Sequence, residues 1–452
     1  MKRQYVITLL WLSFLCFALM GTSSEMTDPM IRAFVKVFAY DADSAPFRRT
    51  LYYSIVFLGA IPAALMARRL GIRSSMLIGL CLFAGGSLSS LPATQTGTVM
   101  PFFIGLGVAA LGLAFTETSA LTMVLTTGKR SKTLTRMFVG KTIELFGYAI
   151  GFLMMAYFVD TRIFEDVVGE NVHIDNVYFE AAQRTDLMTI TVPYIWVGAM
   201  ACLMAVVAAI QEINDLSSDF PRVKSNKQIT RALFFDRRYV NGIVALLLYV
   251  MVVALCWFSI ADQSSASLMS HNPDASASEI LAYSKKFAVA TLLLFFLGRI
   301  VGTILSWRRW CGGRTMLMAT GGAAFILLVA SAVADGELSV WLLASSAFFL
   351  AFMHPALLEL STRHMRREEV ILASAGLVMG SFGGLVAWLI NYRIEESALR
   401  TLIMAIAIAI VGAYGAWHIQ FERKLKHQRD ITLAEIRAKA SNNNSDDKQD
   451  DE

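Results

Sequence analysis

The sequence predicts an all-α membrane protein with twelve transmembrane helices in two pseudo-symmetric six-helix bundles, and three observations predict it. The first is composition. Of 452 residues, 56% are hydrophobic and only 17% are charged, whereas soluble domains carry about 25% charged residues. The second is length: the apolar residues come in repeated runs of roughly 20, enough to cross about 30 Å of hydrocarbon as helix. The third is an echo between the halves. Arg68-Arg69-Leu-Gly-Ile-Arg73-Ser-Ser-Met-Leu follows the second run and Arg308-Arg309-Trp-Cys-Gly-Gly-Arg314-Thr-Met-Leu follows the eighth. Likewise Leu113-Ala-Phe-Thr-Glu117 in the fourth matches Leu350-Ala-Phe-Met-His354 in the tenth, the trace of an internal repeat. Together these exclude a soluble enzyme, a nucleic-acid-binding protein and a disordered scaffold.

Taken in order, the predicted spans are 5–22, 49–67, 74–91, 98–124, 137–159, 188–211, 239–262, 286–307, 315–333, 338–361, 370–391 and 397–419. Segment 1–22 has the layout of a signal peptide, with Lys2 and Arg3, an apolar stretch, then Gly21 and Thr22. Because similar spans follow and polar residues continue in helical register towards residue 38, it is read as the first span. Seven alternate segments outside the spans, the two terminal ones included, hold 25 Lys and Arg, and the six loops between them hold ten. That bias predicts both termini on the cytoplasmic side, in the inner membrane of a bacterium or a plasma membrane. The expected division is a first bundle over 1–211, a basic cytoplasmic linker over 212–237, a second bundle over 238–420 and a cytoplasmic tail over 421–452 with a disordered end. Residues 160–187 are expected to form an acidic outer loop. Five cysteines, none in an outer loop, argue against a disulfide framework.

Charges within the spans carry the functional signal, because an ionisable side chain at the bilayer centre costs several kcal/mol and needs a reason. Glu25 and Asp28 follow the first apolar run. Glu117 stands mid-span in the fourth, Lys141 and Glu144 lie three apart in the fifth, Arg299 is in the eighth, and His354 and Glu359 are in the tenth. Three apart on a helix is one face, so Lys141 and Glu144 can pair. A static ion-pair network would account for such charges. The functional reading is a carboxylate that takes up and releases a proton as water reaches it from alternate sides. Arg299, near one end of its span, can snorkel and brace a gate or meet the substrate, and Arg68 and Arg69 are grouped with it as gating or structural residues. Glu359 reads as a solvated or salt-bridged cap. His354 is followed by Pro355, which removes a backbone donor and can kink the helix; a lone His there is more often a hydrogen-bonded packing residue than a proton carrier or substrate contact. Tyr148, Trp257 and Trp388 are candidates for stacking on a sugar ring.

These residues resemble the fucose permease group of sugar–proton symporters in the major facilitator superfamily. The resemblance rests on Glu25-Met-Thr-Asp28-Pro-Met-Ile-Arg-Ala-Phe34, Pro62-Ala-Ala-Leu-Met-Ala-Arg-Arg-Leu-Gly71, Gly112-Leu-Ala-Phe-Thr-Glu117-Thr-Ser-Ala, Gly298-Arg-Ile-Val-Gly302 and Phe352-Met-His-Pro-Ala. It implies that Asp28 is the proton-coupling aspartate and Glu117 the essential glutamate of the fourth span. The fifth span keeps the group's Arg136 and Gly147, but Lys141 and Glu144 stand where the group has two amides, and Glu25 where it has Asn. Amides give and take hydrogen bonds with a neutral, hydroxyl-rich ligand, and replacing them by charges argues against fucose and against a plain hexose. Lys141 then either neutralises Glu144 or Glu25, or meets an anionic group on the substrate. The internal pair is favoured, since an uncompensated buried carboxylate costs more.

The expected function is proton-coupled import of a small polar solute, a sugar or sugar derivative, by alternating access. Asp28 and Glu117 would handle the proton, and Glu25, Glu117, Lys141, Glu144 and His354 would bind substrate. No cofactor or metal is expected beyond the coupling proton, and the partners are the solute and the lipid bilayer, with a monomer expected. Two alternatives stay open: an exporter or uniporter on the same fold, and a non-transporting sensor that uses its tail as a partner surface. No phosphate-cradling loop, metal-ligand cluster or nucleophile–base set points to an enzyme.

Overall fold

The computed structural model describes residues 3–37, 45–89, 91, 100–155, 176–210 and 225–446. Side chains are described over 7–24, 50–89, 91, 100–154, 188–189, 191–210, 225–276 and 278–421. Among these residues the regular structure is helical. The helices that occupy the predicted spans are α1 (Arg3–Val37), α2 (Ala45–Leu70), α3 (Ile72–Leu88), α4 (Met100–Thr126), α5 (Thr133–Met155) and α6 (Asn176–Ile210). They continue as α7 (Arg237–His271), α8 (Ala277–Trp307), α9 (Gly313–Val333), α10 (Gly336–Thr362), α11 (Arg367–Arg393) and α12 (Ser397–Asp446). Eleven are long and apolar enough to cross a membrane, and α3 is a shorter apolar helix of 17 residues. Large apolar side chains such as Leu58, Ile104, Leu203, Leu293 and Ile326 are exposed on the outside of the bundle. That surface matches hydrocarbon rather than water, so the chain is an integral, multi-pass membrane protein.

The structure refines three boundaries. α1 continues through its polar residues to Val37, as the helical register predicts. α6 begins at Asn176, so helix occupies the last part of the segment read from sequence as an outer loop. α11 is interrupted by a 3₁₀ turn at Gly380–Phe382, where four glycines at 376, 380, 383 and 384 weaken the helix. Part of the predicted linker, 212–224, lies outside the described residues. Its remainder forms a short helix, Asn226–Phe235, closed by a reciprocal Ser225–Gln228 capping box.

The helix pairs that pack together in the first six recur six helices later. The pairs α1·α5, α3·α4, α2·α4 and α3·α6 become α7·α11, α9·α10, α8·α10 and α9·α12. The two bundles meet through α5 on α8 and α10, and through α11 on α2 and α4. The α5·α8 and α11·α2 contacts are images of one another under the same repeat, which explains why sequence echoes survive in α2, α8 and their following turns.

At the end of the molecule that carries the Arg-rich turns, the bundles are tied directly. Arg130 donates to the carbonyls of Arg363 and Met365, and Arg367 donates to that of Gly128 at 3.1 Å. Deeper in, Thr122 donates to Ser374 at 2.8 Å, and Thr142 meets Thr303 at 3.2 Å. This basic end is therefore closed across the bundle interface.

The turn between α10 and α11 is itself anchored by the residue that starts α7. Asp236 accepts from the Arg238 N–H at 3.0 Å and lies 2.5 Å from His364 Nε2. Burial pulls the Asp236 carboxyl upward, but the His364 hydrogen bond and the Arg238 N–H and charge outweigh it and hold it below its usual value. Burial also holds His364 below its usual value, against the pull of Asp236. Both shifts mean that the unfolded chain binds protons more readily, so stability falls as pH falls. For His364 the loss starts below about pH 6.5, and for Asp236 below about pH 4. In detergent, His364→Gln is expected to flatten the decline in unfolding temperature between pH 7 and pH 5. An unchanged slope would remove His364 from that role.

Candidate functional site

A cavity of about 340 Å³ lies between the bundles, within the range of small-molecule sites. The first bundle contributes Ser24 of α1, Tyr52 and Tyr53 of α2, Glu117 of α4, and Lys141, Glu144 and Tyr148 of α5. The second contributes Tyr249 and Trp257 of α7, Phe295 and Arg299 of α8, His354 of α10 and Ser381 of α11. Helices α1 and α5 bring their parts together by close backbone approach. A Cβ on Gly21 would sit 2.0 Å from the Glu144 carbonyl oxygen, and one on Gly147 would sit 2.1 Å from that of Ala18. Only glycine permits that contact, and it sets the height of Ser24 against Glu144.

The charges form a linked set. Lys141 Nζ is 2.5 Å from Glu144 Oε2 and 4.0 Å from Glu117 Oε1, and its ammonium lies 4.9 Å from the centre of the Phe17 ring. Lys141 and Glu144 are both buried, so each needs the other: a lone buried ion is far costlier than the pair. Facing them, the rings of His354 and Tyr249 stack at 5.4 Å. Pro355 lies inside α10 directly after His354, so its missing N–H leaves the Ala351 carbonyl without its helical donor. Among the described residues, no group of three or more His, Cys, Asp or Glu side chains is placed to hold a metal ion.

The sequence-derived candidates are therefore largely in one place. Glu117, Lys141, Glu144 and His354 line a single cavity. Glu25 and Asp28 are carried by α1 beyond Ser24, but their side chains lie outside the described residues. Arg299 departs from the first of its two expected positions. Instead of snorkelling to the basic end, it is 4% exposed and forms part of the cavity wall, with its guanidinium 5.2 Å from the centre of the Phe295 ring. Arg68 is buried and Arg69 exposed at the end of α2, away from the cavity. Glu359 pairs with Arg363 at 3.7 Å, the cap contact read from the sequence. Of the aromatic candidates, Tyr148 and Trp257 line the cavity, while Trp388 stacks on Tyr392 instead. Tyr52, Tyr53, Tyr249 and Ser381 were not anticipated. They sit in apolar runs whose hydrophobicity gives span length but not which side faces the partner bundle.

No family model matches the chain. The L-fucose–proton symporter of Haemophilus influenzae is 25% identical over 443 residues, covering 93% of this chain and 98% of the relative. The L-fucose–proton symporter of Escherichia coli is 22% identical over 430 residues, covering 93% and 94%. A glucose/galactose transporter of Brucella abortus is 20% identical over 417 residues, covering 92% and 94%. In three dimensions the chain matches the crystal structure of the major facilitator transporter FucP in the outward conformation. The TM-score is 0.79 at 21% identity, over 92% of this chain and 99% of that one. A proton:xylose symporter of the same superfamily matches at a TM-score of 0.62 and 12% identity, over 94% and 96%. End-to-end similarity in sequence and in fold agrees with the repeat and with the cavity between its halves: the chain has the major facilitator fold and is similar along its whole length to sugar–proton symporters.

Proposed function

We propose that this protein is a secondary active transporter that imports a small polar solute, a sugar or sugar derivative, together with a proton. The observation that carries this reading is the charged cavity itself, with Glu117 4.0 Å from an ammonium already engaged by Glu144. Curated relatives that are sugar–proton symporters support it, as does a site midway along helices from both bundles. Glu117 binds substrate and senses the proton state, and Asp28, one turn beyond Ser24 on α1, is the proton acceptor. Glu25, Lys141, Glu144 and His354 shape the binding surface. The basic end faces the cytoplasm, the monomer is the working unit, and no cofactor takes part.

Alternating access then requires the basic end to open. Hydrogen bonds from a charged donor contribute about 1.5–3 kcal/mol each, so Arg130 and Arg367 hold the closed state by an amount that decides its population. In the Arg130→Ala/Arg367→Ala double variant, a cysteine introduced at Ser374 should react with an impermeant thiol reagent from the basic side roughly tenfold faster. An unchanged rate would mean that these contacts do not set the gate.

The transport assignment is tested in proteoliposomes given an inward proton gradient and labelled L-fucose, D-glucose, D-galactose and their acid derivatives in turn. Accumulation of one of them, lost on adding a protonophore and lost in Asp28→Asn, is the expected result. Gradient-driven accumulation that persists in Asp28→Asn would withdraw the role given to that residue.

A further inference from the structure

The cavity holds two cations, and among the described residues only one has a carboxylate partner. Lys141 is neutralised by Glu144 at 2.5 Å, with Glu117 nearby. Arg299 is as deeply buried as Lys141, yet its Nε and Nη1 have no hydrogen-bond partner. Among the described residues no carboxylate lies within ion-pair distance of it. Its neighbours are the face of Phe295 and the hydroxyl of Tyr249, which takes one of its hydrogen bonds and carries no charge. A buried guanidinium with no counter-charge is among the costliest arrangements in a protein. Its planar fork is matched to a carboxylate, and it stands in the wall of the same cavity as Glu117.

We propose that the transported solute is a sugar acid and that Arg299 receives its carboxylate. The proposal rests on the sugar-transport reading above and narrows it to one class. A neutral sugar offers that guanidinium no counter-charge, whereas a carboxylate supplies both the charge and the two acceptor oxygens that its fork is shaped for. The atoms also balance simply, because no bond is made or broken: a proton and an anion cross together, with no net charge moved. Lys141, which from the sequence was the alternative anion ligand, is occupied by Glu144 and serves as fixed scaffold.

The test uses purified full-length protein and two matched probe sets: D-glucuronate and D-galacturonate against D-glucose, D-galactose and L-fucose. Thermal unfolding and calorimetric titration should show binding of at least one acid and none of the neutral sugars. Arg299→Gln should weaken acid binding by at least about tenfold, without lowering the unfolding temperature of the ligand-free protein, and Arg299→Lys should recover part of it. If Arg299→Gln does not fold, Arg299→Lys alone carries the test, with binding weaker than wild type expected. Binding of neutral sugars alone overturns the assignment of Arg299 and leaves sugar transport standing. Acid binding that is equal in wild type and in the Arg299 variants overturns the role of Arg299. Binding of neither set overturns both readings.

Discussion

Lys141→Met is expected to destabilise the protein by about 3–5 kcal/mol, because it strands Glu144, and with it Glu117, in a cavity wall that water barely reaches. The corresponding drop in unfolding temperature in detergent is roughly 6–20 °C. The cost comes from the carboxylates left behind rather than from the lost contact, so a second substitution should recover it. In Lys141→Gln/Glu144→Asn the buried pair is replaced by two amides, the residue types that the fucose permease group carries at these positions. Replacing a whole buried ion pair is commonly neutral or stabilising, and the double variant should unfold near the wild-type temperature. Its cavity then presents neutral donors and acceptors beside Glu117, which suits a hydroxyl-rich ligand. A single variant as stable as wild type would show that the pair is solvated and would remove the constraint that fixes Lys141 in place.

The second large effect concerns coupling. With one proton per solute, each unit of pH gradient supports an accumulation ratio of about ten, since one pH unit is worth about 1.36 kcal/mol. Glu117→Gln keeps the shape and hydrogen-bonding atoms of the side chain but removes its charge and its titration. The steady-state ratio should fall to about one in this variant, while exchange of labelled for unlabelled solute across the membrane continues. Exchange survives because alternating access itself is untouched, and accumulation fails because Glu117 no longer relays the proton state of Asp28 to the bound solute. Accumulation at the wild-type ratio in Glu117→Gln would leave Glu117 as a substrate ligand only.

How much of this was legible in the sequence differs from residue to residue. Glu117 stands out because long uncharged stretches flank it, and no soluble surface explains a carboxylate there. The Lys141–Glu144 pair follows from their three-residue spacing, and the structure adds that the same ammonium also reaches Glu117. The helical course of α1 to Val37 was readable from the register of its polar residues. Arg299 could be read from the sequence as either a gate brace or a substrate contact, because distance from a span's end says how far a side chain can snorkel but not which way the helix is turned. In the fold, α8 is rotated so that position 299 faces α5 and α7 rather than the basic end. Tyr249 escaped for a related reason: α7 is apolar almost all round, and only its packing against α10 singles out the side that bears Tyr249. The break in α11 was signalled by its glycines, yet a glycine run is tolerated in many membrane helices, so the sequence does not distinguish a break from a close-packing stripe.

The central claim is that a proton and a solute share one cavity and cross together. It is tested most directly by adding D-glucuronate, D-galacturonate, L-fucose, D-glucose and D-galactose in turn to proteoliposomes in weakly buffered medium, with no imposed gradient, and following external pH. The account predicts that one of these solutes makes the external medium alkaline as it enters, that a protonophore abolishes the signal, and that Glu117→Gln gives no alkalinisation while still exchanging the solute. Entry of the solute with no change in external pH in the wild-type protein would contradict it.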